Sequence, residues 1–466
     1  MTEMLDPDDS TAPTEERRDD DFALDQDLVA AIVESVVVGD RVAALALVDG
    51  LHIADLADLI EQVSSEHRRA LIELIWADID NEVIVELEEG VRDEVLEILQ
   101  PSDLAEAAKE LDTDDVVYLL EDMEEDQQKA VLEALEPADR AAVVKSLEYP
   151  EDSAGRLMQS EFVKAPPFWT VGQMIDALRA DDDLPEQFYD IVIVDPAARP
   201  VGKISLAAIL GNRRPVTLES LMEQDFRTLR CDDDEEDVAY AFNQYHIVSA
   251  PVVDEDGRVV GVITIDDAME VLEDEAEEDI KRLAGVGDEE ISDDILEITK
   301  RRFPWLAVNL LTSIFASLVI AQFDATIEQI VALAVLMPIV ASMGGNAGTQ
   351  TLTVAVRALA TRDLTPTNAM RIVWREGMVG LINGVVFALL IGVIAWIWFG
   401  SVALGVVIAI AMVVNMIVAG LAGILIPIAL DKLGADPALA SGAFVTTVTD
   451  VVGFFAFLGL AAAVLL

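Results

Sequence analysis

The last third of the chain is dominated by long runs of apolar residues, which short polar segments separate. A helix needs about 20 residues to cross a bilayer core of about 30 Å, and five of these runs reach about that length. The pattern therefore predicts an all-α transmembrane bundle of five helices per chain within residues 303–466. The five runs cover residues 303–323, 327–345, 378–399, 402–430 and 438–466.

Residues 24–150 show a different pattern, in which short amphipathic segments begin with Ser, Asp, Glu or Pro, residues that favour the first turn of a helix. Helices this short cannot each bury an apolar face alone, so a superhelical, all-α N-domain is expected. The acidic residues 1–23 before it are expected to be a disordered tail. A large apolar residue recurs every twelve positions, at Leu51, Val63, Ile75, Leu87, Leu99, Leu111, Met123, Leu135 and Leu147.

Residues 152–272 change to short apolar runs that are typical of strands. The stretch "FYDIVIVDPAARPVGKISLAAIL" predicts strand, turn, strand and helix, and "HIVSAPVVDEDGRVVGVITIDDAMEVL" repeats that order. A duplicated α+β module is expected, with its halves at 152–215 and 216–272. The segments "PVGKIS" and "VVGVITIDD" resemble those of tandem CBS domains, which form a regulatory fold.

A charged connector, residues 273–302, leads from this module to the first apolar run and is expected to be helical in parts. Arg301 and Arg302 precede that run, whereas the segment after it, "DATIE", contains no base. Cytoplasmic loops carry an excess of Lys and Arg, so the N-terminal half is predicted to be cytoplasmic. Five spans then place the C-terminus outside, in a multi-pass protein of the plasma or inner membrane.

Charge divides the chain into the same two parts. There are 87 acidic and 30 basic residues, a net charge of −57, yet seven acids balance seven bases from residue 301 onward. So acidic a soluble half argues against nucleic acid as a partner. The even spread of acids also suits the salty cytoplasm of a halophile, where self-repulsion is screened. A cation-binding role must therefore rest on particular positions.

Several kinds of site are not expected from the residue types. Cys231 is the only cysteine and the three histidines are scattered, which argues against disulfides, thiolate metal sites and zinc. The sequence has no Gly-Lys-Ser/Thr phosphate loop, so ATP-driven pumping has no support, and we do not expect an enzyme.

The second apolar run continues into the polar and small residues of "LMPIVASMGGNAGTQTLTVAVRALATRDL". Proline there is expected to kink or loosen the helix, and the glycines permit close helix approach. The alternative is a tight helix crossing with local hydrogen bonds. The candidate pore-lining or structural residues are Pro338, Gly344, Gly345, Asn346, Gly348 and Gln350.

Asp450 is the one charged residue of the last apolar run. It shares a helix face with Thr446 and Gly442, because the three are spaced four residues apart. No apolar run contains a Lys or Arg that would pair with it, so we expect an ion pathway, with a protonated carboxyl as the alternative. Carboxylate, hydroxyl and carbonyl oxygens suit Mg²⁺ or Ca²⁺.

The segment that begins "LMPIVASMGG" and the later "DPALASGAFVTTVTDVVGFFAFLGL" resemble the two signature segments of the MgtE family of magnesium transporters. The order of a helical N-domain, tandem CBS domains, connector and five spans agrees. The resemblance implies a homodimeric, Mg²⁺-selective channel driven by the membrane potential. Its pore would follow the dimer axis, and Asp450 would contact hydrated Mg²⁺. Thr446 and Gly442 match further contacts, although Gly442 lacks the Asn side chain of some members.

The resemblance also implies that intracellular Mg²⁺ binds between the N-domain, CBS domains and connector and closes the pore. A divalent ion that bridges carboxylates which repel each other can bias such a gate. The N-domain ligands are not placed, and "ELDTDDVVYLLEDMEED" is a candidate stretch; the alternative for each acid is a solvated halophile surface. The ligands matched by position are Glu236, Asp267, Glu270, Glu275, Glu278 and Asp279.

CBS pairs often bind ATP or another adenine nucleotide, with a carboxylate three residues after a Thr or Ser holding the ribose. Thr264 and Asp267 match that spacing. Two other functions stay open: transport of another divalent ion such as Co²⁺, Mn²⁺ or Ca²⁺, and a membrane-anchored sensor of nucleotides or ionic strength.

Overall fold

The structure is a computed structural model that describes residues 24–123, 125–181, 184–185, 188–286 and 295–466. The expected tail at 1–23 and residues 287–294 of the connector lie outside the described residues. The chain divides into two units, Met1–Leu272 and Glu273–Leu466, and each is described by itself.

The first part of the first unit consists of short helices, as the twelve-residue repeat predicted. The repeat marks helix ends: Val63, Leu99 and Met123 are the residues that terminate three of the helices, and all three are buried. Two 3₁₀ turns, Trp76–Asp78 and Asn81–Ile84, lie among the helices. The helices are α1 Gln26–Val38, α2 Arg41–Val48, α3 Ile53–Gln62, α4 Ser65–Ile75, α5 Glu89–Ile98, α6 Pro101–Ala107, α7 Thr113–Asp122, α8 Glu125–Ala134 and α9 Pro137–Ser146.

Long polar side chains close the ends of these helices, where the last carbonyl groups have no partner within the helix. The buried Arg68 donates to the carbonyls of Ile60 at 2.9 Å and Val63 at 3.3 Å. Gln128 donates in the same way to Leu120 at 2.7 Å and Met123 at 3.0 Å. These bonds fix α4 to α3 and α8 to α7.

Two α+β modules follow, and each contains a three-stranded sheet. In both sheets the short first strand is parallel to the second, which is antiparallel to the third. The predicted order of strand, turn, strand and helix is therefore correct. The short first strands were not predicted. Helix α10 Ala154–Leu157 comes first in the chain but packs in the core of the second module. The first module contains β1 Lys164–Ala165, α11 Val171–Leu178, β2 Asp190–Val194, β3 Pro200–Ser205 and α12 Leu206–Gly211; the second contains β4 Leu229–Arg230, α13 Glu235–Tyr245, β5 Ser249–Val253, β6 Val259–Thr264 and the start of α14 Ile265–Ala284.

The second unit begins within α14 and contains the five helices long and apolar enough to cross a membrane among the described residues. One short helix, Asp324–Gln329, was not predicted. Four of the five spanning helices are longer than their apolar runs, because a helix satisfies its backbone groups internally and continues past polar residues. The helices are α15 Ile295–Ala321, α16 Asp324–Gln329, α17 Ala332–Ala360, α18 Ala369–Phe399, α19 Val402–Lys432 and α20 Pro437–Leu465.

The glycine-rich segment lies wholly inside α17, which passes Pro338 as one helix. Small residues let the membrane helices approach closely. A Cβ atom at Gly380 of α18 would lie 2.6 Å from the carbonyl oxygen of Met416 on α19. The apolar core of this unit is formed by α17, α18, α19 and α20 around buried residues such as Leu336, Met412 and Phe457.

Candidate ion pathway and acidic control site

The Asp450 face comprises Gly442, Thr446 and Asp450 on α20. With a rise of 1.5 Å per residue, Asp450 lies about 20 Å from the start of α20, well inside a bilayer core of about 30 Å. Its side chain is half-buried, and within the described part of the chain no hydrogen bond or ion pair engages its carboxylate. The Thr446 hydroxyl donates to the Gly442 carbonyl at 3.0 Å, which leaves the hydroxyl oxygen able to accept.

Glycines on α17 allow its backbone to lie against this part of α20. A Cβ atom at Gly348 would lie 2.5 Å from Cγ1 of Val445, and one at Gly345 would lie 4.0 Å from Cγ2 of Thr446. Asn346 and Gln350 are exposed, on the outside of the single chain. A pore-lining role for these two residues remains a prediction.

Four acidic side chains of the first unit interact where the helical N-domain meets the second module. Asp114 and Asp115 lie in the first turn of α7, and Asp267 and Glu270 lie near the start of α14. Their charges act on one another across these two helices. We call these four residues the aspartate cluster. The predicted N-domain stretch therefore does contain acids that face two of the residues matched by position.

Polar contacts from the residues before β1 hold α7 in this place. The backbone N–H of Thr113 donates to Glu161 at 3.2 Å, and its hydroxyl donates to the same carboxylate at 2.5 Å. Arg156 forms an ion pair with Glu121 at the other end of α7. Both ends of the helix are thus fixed to the module that carries Asp267.

Charge repulsion within the aspartate cluster changes its protonation. Burial, followed by the charges of Asp267 and Asp115, raises the pKa of Asp114 well above its ordinary value. Burial and the charges of Asp112 and Asp267 raise the pKa of Asp115 to about 7. Burial also raises the pKa of Asp267, against hydrogen bonds from Thr264 that lower it. At neutral pH the contact holds unfavourable negative charge, which a proton or a cation would relieve.

The aspartate cluster is not a preformed metal cage. In the described part of the chain, no three His, Cys, Asp or Glu side chains are grouped so that they could hold a metal ion. The nucleotide candidates are also engaged with each other, because Thr264 donates to Asp267 from its hydroxyl at 2.8 Å and from its backbone at 3.1 Å. Asp267 is thus a candidate both for Mg²⁺ binding and for nucleotide binding, and its carboxylate already accepts hydrogen bonds from Thr264.

A second acidic group lies in the other unit, at the end of α14. Arg282 donates to Asp436 at 2.7 Å and pairs with Glu278. Asp436 is the N-cap of α20, where it accepts from the backbone of Ala438 at 2.7 Å. Burial raises the pKa of Asp279, Asp436 raises it further and Arg357 lowers it. The connector is thereby tied to the first residue of the helix that carries the Asp450 face.

Apolar contacts also connect the end of α14 to the Asp450 face. Leu283 joins a buried cluster with Leu352, Ala438 and Val445, and its carbonyl oxygen lies 3.7 Å from where a Cβ atom of Gly442 would be. The end of α14 therefore covers the end of the Asp450 face that is nearer to the start of α20.

The six acidic residues that the family resemblance assigned as Mg²⁺ ligands do not lie together. Asp267 and Glu270 belong to the aspartate cluster, whereas Glu278 and Asp279 belong to the connector group, and Glu275 is half-buried earlier on α14. Glu236 is exposed in the first turn of α13. Sequence reasoning missed Asp436 and Arg282. The "DP" at the start of α20, an N-cap signal, was the available sign for the first of them.

Three family models match the chain. They are a divalent cation transporter, MgtE, over residues 337–460, an MgtE intracellular N domain over residues 51–152 and a CBS domain over residues 218–274. The magnesium transporter MgtE of Thermus thermophilus is 32% identical over 94% of this chain and 98% of the relative. This chain belongs to the MgtE family of magnesium transporters.

Other relatives agree with that assignment. The magnesium transporter MgtE of Bacillus subtilis is 31% identical over 90% of this chain and 93% of the relative. Among solved structures, the cytosolic domain of the Mg²⁺ channel MgtE in complex with ATP is 30% identical, with a TM-score of 0.48, and covers 52% of this chain and 99% of that one. The MgtE N-domain and CBS family models, together with the five long apolar helices, confirm the predicted multidomain membrane fold.

Proposed function

We propose that the chain conducts Mg²⁺ into the cytoplasm down its electrochemical gradient, as one half of a homodimer whose pore passes the Asp450 face. The observation that carries this proposal is an acidic side chain deep in an apolar helix with no cationic partner among the described residues. A buried carboxylate is costly in hydrocarbon, and the cost falls if the carboxylate lines a hydrated ion path.

Direction and topology are part of the same proposal. The domains before residue 303 lie in the cytoplasm and the C-terminus lies outside, which agrees with the bases that flank the spans. A negative interior then drives a divalent cation inward, with about 2.3 kcal/mol per elementary charge for each 100 mV.

Gating is proposed to work through the aspartate cluster and the connector group. Mg²⁺ among Asp114, Asp115 and Asp267 would relieve their repulsion and hold the N-domain against the second module. Because none of these residues forms a closed cage, the ion would keep several of its waters, as Mg²⁺ often does. The connector ends beside Gly442 within its own unit, which supports a closing role there.

Transport is tested with the purified full chain in proteoliposomes that contain a Mg²⁺-sensitive dye. We expect Mg²⁺ uptake that increases when the interior is made negative and that falls when Mg²⁺ is added on the cytoplasmic side. Assays with Co²⁺, Mn²⁺ and Ca²⁺ are run in parallel at high KCl. Faster flux of one of these ions would transfer the proposal to that ion, and no flux of any of them would favour a sensor.

The pKa changes in the aspartate cluster predict a pH dependence of the Mg²⁺ response. Burial and neighbouring acids raise the pKa of Asp114 and Asp115 where the N-domain contacts the second module, and Asp112 and Glu82 are among the acids acting on Asp115. The contact therefore binds protons more tightly than its separated parts. Its stability is fully present below the ordinary carboxyl pKa and is lost as the pH rises to about 7.

Limited proteolysis of the full chain, with and without Mg²⁺ at constant ionic strength, measures this effect. We expect strong protection by Mg²⁺ at about pH 8 and little additional protection at about pH 5.5, where protons already relieve the repulsion. Equal protection at both pH values would show that these carboxyl groups do not control the contact.

A further inference from the structure

Asn415 is a polar residue at the centre of the apolar membrane unit. It lies on α19 and is wholly buried. Its Nδ2 atom donates to the carbonyl of Val340 on α17 at 2.8 Å. Its Oδ1 atom is also buried and has no hydrogen-bond partner within the described residues. A buried carbonyl oxygen without a partner destabilises the fold, so stability alone does not account for an Asn here.

The Asn415 amide fills a gap that two glycines create. A Cβ atom at Gly344 of α17 would lie 2.2 Å from Nδ2, and one at Gly453 of α20 would lie 2.8 Å from it. Such distances are far shorter than ordinary contacts, so neither position accepts even a methyl group while Asn415 is in place. The amide therefore sits directly between the backbones of α17 and α20.

This contact is next to the Asp450 face on both helices. Gly453 follows Asp450 by one helical turn, and Gly344 precedes Gly345, which lies opposite Thr446. We propose that Asn415 is a positioning residue that sets the distance between α17 and α20 and their register along the helix axes. It thereby determines where Asp450 contacts the ion. The inference rests on the proposed role of Asp450.

The test compares Asn415→Ala and Asn415→Leu in the full chain, by thermal unfolding and by uptake of Mg²⁺ and Ca²⁺ in proteoliposomes. Both variants remove the unpartnered oxygen, so we expect a Tm at or above that of the parent for at least one of them. We also expect the apparent KM for Mg²⁺ to rise by about tenfold and the ratio of Mg²⁺ to Ca²⁺ uptake to fall, because small misplacements at an ion site have large effects.

Met412→Leu is the matched control, since Met412 is equally buried one turn away on α19 and the exchange conserves its volume. Unchanged KM and selectivity in both Asn415 variants would overturn the proposal, as would the loss of folded protein in both. A double variant, Asn415→Ala with Gly344→Ala, gives a further decision. If it restores full transport and selectivity, the volume of the Asn415 side chain is all that matters, and the proposal that its amide positions α20 is overturned.

Failure of this inference is distinguishable from failure of the proposed function. An Asp450→Asn variant that loses uptake, beside Asn415 variants that keep normal KM and selectivity, would overturn only the positioning role. Normal uptake by the Asp450→Asn variant would overturn the proposed function on which that role depends.

Discussion

Uptake of Mg²⁺ by an Asp450→Asn variant is expected to fall by about a hundredfold, with folding and membrane insertion unchanged. Asparagine keeps the shape of the side chain and removes only its charge. A unit charge and a divalent ion separated by one water layer, about 5 Å, attract by roughly 2 kcal/mol in bulk water and by more in a narrow pore. About 3 kcal/mol corresponds to roughly a hundredfold.

The measurement is dye-reported uptake in proteoliposomes at equal protein content, with Tm and elution volume as checks on folding. Asp450→Glu is expected to retain part of the activity because it keeps the carboxylate. Asp431→Asn, which neutralises an exposed acid at the end of α19, is the charge-matched control and should transport normally. If the Asp450→Asn variant transports as fast as this control, the Asp450 face is not the ion pathway.

In an Asp114→Asn and Asp115→Asn double variant, the N-domain is expected to stay in contact with the second module, and the pore to be closed, without Mg²⁺. The pKa of both residues is raised by burial and by their neighbours, so replacing them with neutral isosteres removes repulsion that otherwise opposes the contact. In EDTA the double variant should be as resistant to protease as the parent is in millimolar Mg²⁺. Its uptake should be lower than that of the parent by about tenfold when cytoplasmic Mg²⁺ is low.

Glu97→Gln with Glu106→Gln provides the control, because it removes the same charge from exposed positions of the N-domain. This control should keep the Mg²⁺ response of the parent, which separates local repulsion from the overall acidity of the surface. A double Asn variant that needs more Mg²⁺ to become protected would contradict the prediction. In that case Asp114 and Asp115 would act as Mg²⁺ ligands, and their mutual repulsion would not control whether the contact forms.

Much of the fold was predictable because it follows from local periodicity. The twelve-residue spacing of residues such as Val63, Leu99 and Met123 marks where helices end and where their last turns are buried. Short apolar runs next to turn residues marked β2, β3, β5 and β6, and β5 is buried along its whole length. The short strands β1 and β4 were missed, because two residues carry no periodicity and exist only through pairing with the next strand.

The candidate site was predictable where its residues share one helix. Gly442, Thr446 and Asp450 lie on one face of α20 because of helical spacing alone. The partners of the acidic residues were not predictable in the same way. Asp114 and Asp267 are far apart in sequence, and the pKa of each depends on burial and on charges that the fold brings near it.

By itself, then, the sequence determined the kinds of element, their order, the separation of an acidic soluble half from an apolar half and the single charged residue of the last span. These features follow from hydrophobic spacing and helical geometry, which act over a few residues. Only the tertiary structure decided which acids confront one another, that Arg282 binds Asp436, and that Asn415 fits between two glycines. Those contacts join residues distant in sequence, so they depend on packing that no local pattern specifies.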